Sequence, residues 1–172
     1  MTAPRQQRKR RHLTANAMVG ATFAVFVALG GTMPLAVAAS GALERLVVDP
    51  ASGLAISGFD PVAYFSRREP AQGRPELELR LAGAVWRFLN EGNRAAFAEH
   101  PEIYAPQFGG YDPVAIGRDT AVAGHPLIWA ISKDRLCLFY DEAARAEFLA
   151  DPERIIDRAS QKWPSVAHGI AR

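Results

Sequence analysis

Cysteine is nearly absent, with Cys137 alone among 172 residues. One thiol excludes an intramolecular disulfide and a thiolate cage for a soft metal, so the body must hold together noncovalently. Cys137 lies in Arg135-Leu136-Cys137-Leu138-Phe139-Tyr140, an apolar run typical of a buried strand, where a thiol serves as a small core hydrophobe. Neither immediate neighbour is a histidine or a cation that would activate it as a nucleophile. Replacing it with serine is expected to cost stability by burying a hydroxyl among Leu136, Leu138 and Phe139, and alanine is expected to cost less if polarity dominates. Histidine is scarce as well: the chain has four, of which His100, His125 and His168 lie in the body. An excess of basic charge is missing from the body too. The formal charge is +2, but Arg5, Arg8, Lys9, Arg10 and Arg11 account for five of the 20 Lys and Arg, leaving 15 against 18 acids, or −3. A mildly acidic body takes away the main support for a phosphate-backbone binder, so no nucleic-acid partner is expected. The hydrophobic content, 49%, is enough for an ordinary core and too high for disorder.

Charge is absent altogether from residues 13–43, and residues 17–29 are Ala, Val, Phe, Gly, Met and Leu with one Thr. That stretch reads as the apolar region of an export signal. Gly30, Gly31 and Pro34 break its helix, and Ala36-Val37-Ala38-Ala39 supplies the small side chains a signal peptidase accepts. Residues 1–39 are expected to be a signal peptide cleaved after Ala38 or Ala39, with residues 40–53 as a linker. A retained membrane anchor is the rival reading, since about 20 apolar residues span a bilayer. Arg10-Arg11-His12-Leu13 also suggests a twin-arginine signal, although Thr14 stands where a second apolar residue belongs. Each alternative places the body outside the cytoplasm, periplasmic or secreted, touching a membrane only through its N-terminal segment.

The body repeats its own punctuation. Gly58-Phe59-Asp60-Pro61-Val62-Ala63 returns as Gly110-Tyr111-Asp112-Pro113-Val114-Ala115, and Gly73-Arg74-Pro75 as Gly124-His125-Pro126. Phe88 returns as Phe139, Arg94 as Arg145, Phe97 as Phe148, and Pro101-Glu102 as Pro152-Glu153. So many matches in one register imply a tandem duplication, with units at residues 54–106 and 107–164. Within each unit, Asp-Pro starts a short helical turn, Asp as cap and Pro in the first turn. Segments 76–81 and 85–89 then flank Ala82-Gly83, and 127–132 and 136–140 flank Lys133-Asp134. Each pair reads as a β-hairpin. Asn90 and Asp141 are placed to cap the helices that follow.

One hairpin and one helix bury too little apolar surface to stand alone. The expected fold class is therefore α+β: a tandem pair of loop, β-hairpin, α units (ββα repeats) packed as one small domain. A C-terminal helix over residues 152–163 is expected to cover the seam between them. Trp163-Pro164 should end the fold, leaving 165–172 as a flexible tail that carries His168.

Three strings carry a resemblance to a known family. They are Ala55-Ile56-Ser57-Gly58-Phe59-Asp60-Pro61-Val62-Ala63-Tyr64-Phe65, then Trp86-Arg87-Phe88 followed by Asn93-Arg94-Ala95-Ala96-Phe97, then Pro101-Glu102-Ile103-Tyr104-Ala105-Pro106-Gln107-Phe108-Gly109-Gly110-Tyr111. Over about residues 53–164 the chain resembles the YHS domain family, in particular exported bacterial proteins of that family. Metal-binding relatives look like Asp-Pro-Val-Cys followed by Phe-Cys-Ser-x-x-Cys, thiolates that would hold a soft metal. Here the matching positions are Ala63, Leu89 and Asn93, and in the second unit Ala115, Tyr140 and Ala144. Relatives of the exported type often carry Cys after Gly-Gly-Tyr, where this chain has Asp112. The resemblance therefore implies no thiolate metal site and no cofactor.

His100 and His125 match Asp151 and Arg74 across the duplication, positions that need only a helix end or a turn. Asp60 and Asp112 could form an acid–base pair across the seam, but their capping duty already accounts for them, and no nucleophile or cofactor loop accompanies them. Gly109-Gly110 reads as a tight turn. The aromatic residues gather around the two Gly-aromatic-Asp-Pro segments, and a cleft between halves is a usual place for a small ligand. The expected ligand-binding residues are Phe59, Asp60, Tyr64, Tyr111, Asp112, His125 and Trp129, with no catalytic residue and no metal ligand. The expected function is an exported, non-catalytic binding or accessory module that recognises a small molecule or a protein at the seam. The alternative is a metal-handling protein using His, Asp or Met in place of Cys, and an enzyme ranks third.

Overall fold

Two hairpins, closed by two-residue turns, organise the chain. A computed structural model describes residues 45–170; the expected leader, residues 1–39, lies outside them. Strand β1 (Arg74–Leu81) pairs antiparallel with β2 (Ala84–Phe88), and β3 (His125–Ser132) with β4 (Arg135–Phe139), as two separate two-stranded sheets. Both turns need positive φ at both central residues. Ala82 (52°) and Gly83 (79°) provide it in one, Lys133 (47°) and Asp134 (56°) in the other, which matches the twist of paired strands.

Each first strand starts two residues earlier than the sequence implies and carries an irregularity. Arg74 pairs with Phe88 and Glu78 with Arg87, while His125 pairs with Phe139 and Trp129 with Leu138. Pro75 and Pro126 fall in these bulged segments, where a missing N–H disturbs no ladder. Just before them, Gly73 and Gly124 lie directly against the partner strand. A Cβ on Gly124 would sit 2.6 Å from Leu138 Cβ, and one on Gly73 2.5 Å from Arg87 Cβ.

Among the described residues, two short 3-10 turns (Ile56–Gly58 and Gln107–Gly110) and six α-helices complete the fold: α1 (Ala63–Ser66), α2 (Glu91–Glu99), α3 (Pro101–Tyr104), α4 (Pro113–Ile116), α5 (Glu142–Ala150) and α6 (Pro152–Gly169). Asn90 caps α2 by accepting from Asn93 N, and Asp141 caps α5 by accepting from Ala144 N, both at 2.8 Å. Phe97 on α2 meets Trp86 (4.7 Å) and Phe88 (5.4 Å), as Phe148 on α5 meets Phe139 (4.9 Å).

Strand alternation makes β4 the middle of the molecule. Leu136 and Leu138 enter the cluster built around Trp86, Phe88 and Tyr64, while Cys137 and Phe139 enter a second one with Phe148 and Ile155. The two hairpin-and-helix pairs thus meet at β4, whose two faces serve two separate clusters. The architecture is mixed α+β, two small antiparallel hairpin sheets with a long C-terminal helix.

The structure corrects three expectations. Helix α6 does not stop at Trp163-Pro164 but runs to Gly169, taking in His168 and most of the expected tail. An internal proline loses one helical hydrogen bond, and packing offsets this: Val166 is buried with Phe108, Ile116 and Ala159, and Arg45 Nε donates to Ala167 O (3.1 Å). Nor does α6 cover the seam; it packs on α4 and α5, both from the C-terminal half. The expected linker also contributes structure. Val47 N donates to Gly109 O (2.8 Å), Val48 bridges Ala55, and Leu46 packs on the core. Among the described residues no helix is long and apolar enough to cross a membrane.

Candidate functional site

Among the described residues, Asp60 and Asp112 are the two buried charged ones, 0% and 1% exposed. Asp60 Oδ1 accepts from Val62 N (2.8 Å) and Ala63 N (3.3 Å), and its Oδ2 from Leu89 N (2.8 Å) and Asn93 Nδ2 (2.6 Å). Asp112 Oδ1 accepts from Val114 N (2.8 Å) and Ala115 N (3.4 Å), and its Oδ2 from Tyr140 N (3.0 Å). Each carboxylate caps the turn after it and ties that turn to the end of its own hairpin. Burial without such donors would be costly. Both are thus committed within their own halves rather than to each other.

The seven expected site residues do not line one cleft. Tyr64, Trp129 and Phe59 belong to the central cluster. Tyr64 meets Trp129 edge-on at 5.4 Å and donates its hydroxyl to Pro126 O (2.8 Å), a carbonyl in the β3 bulge. Burial, helped by the charge of Asp60, pushes that hydroxyl's pKa up. It anchors the halves to each other. Tyr111 lies elsewhere, 5.8 Å from Trp163 on α6, and partial burial raises its hydroxyl against the opposing charge of Arg45. His125 is exposed, with Nδ1 accepting from Leu127 N (3.2 Å).

Cys137 is fully buried. Burial pushes its thiol up to about 12, with Arg135 opposing and the charge of Asp112 adding to the rise. That is the opposite of an activated nucleophile. The thiol is not without a partner, however: Sγ donates to Gln107 Oε1 at 3.3 Å. A serine hydroxyl in this place would also face Gln107 Oε1, so the surroundings of residue 137 are not wholly apolar.

Two of the surface hollows share a wall. One of about 300 Å³ lies where the halves meet, lined by Val48, Asp49, Ser57, His125, Pro126 and Tyr140 among others. The other, about 210 Å³, is lined by Asp112, Ala115, Arg118, Tyr140, Ala144 and Glu147 among others. Tyr140, whose residue surface is 62% exposed, lines both. Arg118 and Glu147 pair at 2.6 Å at the second hollow. No family model, curated protein or solved structure matches this chain.

Of the expected residues, the hollows keep Asp112 and His125. Sequence reasoning missed Tyr140, Ser57, Asp49, Arg118 and Glu147. Tyr140 carried one signal, a polar-tipped aromatic at the end of an apolar strand, where Leu89 stands in the first half. Ala115, Tyr140 and Ala144 all line the second hollow. In the first half, Asn93 instead turns its carboxamide onto Asp60. Among the described residues no group of three or more His, Cys, Asp or Glu is arranged to hold a metal ion.

Proposed function

We propose that this chain is an exported, non-catalytic binding module of the YHS type, a tandem pair of ββα units that holds a small molecule in the two hollows joined at Tyr140. Matching sequence punctuation, matching Asp cap bonds and matching hairpin irregularities support the duplication. The apolar leader supports export. The observation that carries the binding reading is Tyr140: a large aromatic ring left exposed at the end of an otherwise buried strand, with buried Asp112 in one hollow and His125 in the other. An amphipathic ring between concave surfaces, with a few polar groups to fix orientation, is how small-molecule sites are built.

Titrating the isotopically labelled mature domain with a library of small polar fragments tests the reading. Saturable amide shifts should cluster at His125, Tyr140 and Ala144. Tyr140→Ala should weaken the best fragment about tenfold, the value of one aromatic contact, and leave the melting temperature almost unchanged because the ring is exposed. Shifts clustering elsewhere, or undiminished binding by Tyr140→Ala, would overturn it.

A further inference from the structure

The two buried aspartates differ in one hydrogen bond. A carboxylate offers about four acceptor sites, and Asp60 uses four: Val62 N, Ala63 N, Leu89 N and the carboxamide of Asn93. Asp112 accepts from the first three counterparts, Val114 N, Ala115 N and Tyr140 N, but has no fourth donor among the described residues. The reason is one side chain. Asn93 stands three residues after the cap of α2, and Ala144 stands three after the cap of α5. Alanine ends at Cβ where asparagine continues to an N–H donor. In that place the C-terminal half has the hollow of about 210 Å³, lined by both Asp112 and Ala144.

The geometry points to a primary amine as the ligand of this hollow, its ammonium donating to Asp112 Oδ2 as the Asn93 carboxamide donates to Asp60. Charge selects an ammonium over a neutral amide. The lining holds three carboxylates, Asp112, Asp141 and Glu147, against the single guanidinium of Arg118, which Glu147 already pairs. A charge-assisted bond to a buried carboxylate is about twice as strong as a neutral one, and the Tyr140 ring offers a π-face to a cation. Val114, Val122 and Ala143 supply an apolar wall for a short hydrocarbon body. The inference rests on the binding-module reading and specifies the chemistry of its ligand.

Two cations test it at matched ionic strength on the mature domain. n-Butylammonium carries three N–H donors, whereas tetramethylammonium carries the same charge and none. Saturable shifts of the Tyr140 and Ala144 amides should appear with n-butylammonium at an affinity about tenfold or more above that for tetramethylammonium, the worth of one charge-assisted bond. Ala144→Asn should supply the fourth donor internally, abolish those shifts and raise the melting temperature. Equal affinity for the two cations would overturn the inference by itself, whatever the variant does, and so would unchanged n-butylammonium binding by Ala144→Asn. Neutral fragments that shift His125 and Tyr140 where n-butylammonium does not would overturn the amine alone and leave the binding module standing. Failure of every fragment to produce a saturable shift around Tyr140 would overturn both.

Discussion

Burial costs the thiolate of Cys137 more than the thiol, and this couples stability to pH. Below its ordinary value of 9.0 the thiol keeps its proton in the folded and unfolded chains alike. Between 9.0 and about 12 the unfolded chain releases the proton and the folded chain does not, so the unfolded chain is favoured progressively. Stability from this group should fall by about 1.4 kcal/mol per pH unit in that window. Tyr64, raised by burial, acts in the same direction above its ordinary value of 10.0. Urea midpoints at pH 8 and 10.5 should therefore drop less for Cys137→Ala than for the natural chain, and parallel drops would contradict the buried thiol. At neutral pH, Cys137→Ser should destabilise no more than Cys137→Ala, since only serine keeps a donor for Gln107 Oε1.

Among the elements, the hairpins and caps were legible because their causes are local. Ala82-Gly83 and Lys133-Asp134 separate apolar runs, and Asn90 and Asp141 precede helical spacing. The bulges were not legible, since they depend on how closely a strand end approaches its partner. Gly73 and Gly124 meet that requirement by lacking a Cβ. Gly73→Ala or Gly124→Ala should each cost about 1–3 kcal/mol as overpacking against a strand backbone, read from urea midpoints. Helix α6 illustrates tertiary override. Proline marks a helix end on local grounds, but burial of Val166 and the Arg45 bond to Ala167 O carry the helix past Pro164. Deleting residues 165–172 should lower stability by about 2 kcal/mol, the worth of burying one valine, whereas removal of a free tail would leave the melting curve in place.

For the whole molecule, the leader and the missing thiolates set two expectations. Intact-mass analysis of the extracytoplasmic fraction should find a chain beginning after Ala38 or Ala39; a full-length, membrane-bound product would favour the anchor. Zn(II), or Cu(I) under reducing conditions, should leave the melting temperature of the mature protein unmoved, because native-state binding would raise it. Equimolar tight binding lost in His125→Ala would restore the metal-handling alternative. The sequence by itself determined the duplicated punctuation, the two hairpins, the capping residues, the burial of Cys137 and the commitment of Asp60 and Asp112 as caps. All of these follow from interactions within a few residues or from strand periodicity. Only the tertiary structure decided that Tyr64 closes the seam through Pro126 O, that Tyr111 turns to α6 instead, and that hollows remain around Tyr140. Those outcomes depend on which surfaces of the two hairpin-and-helix segments meet, and contacts between residues far apart in the chain set that, as Tyr64 with Pro126 O does, whereas local spacing does not.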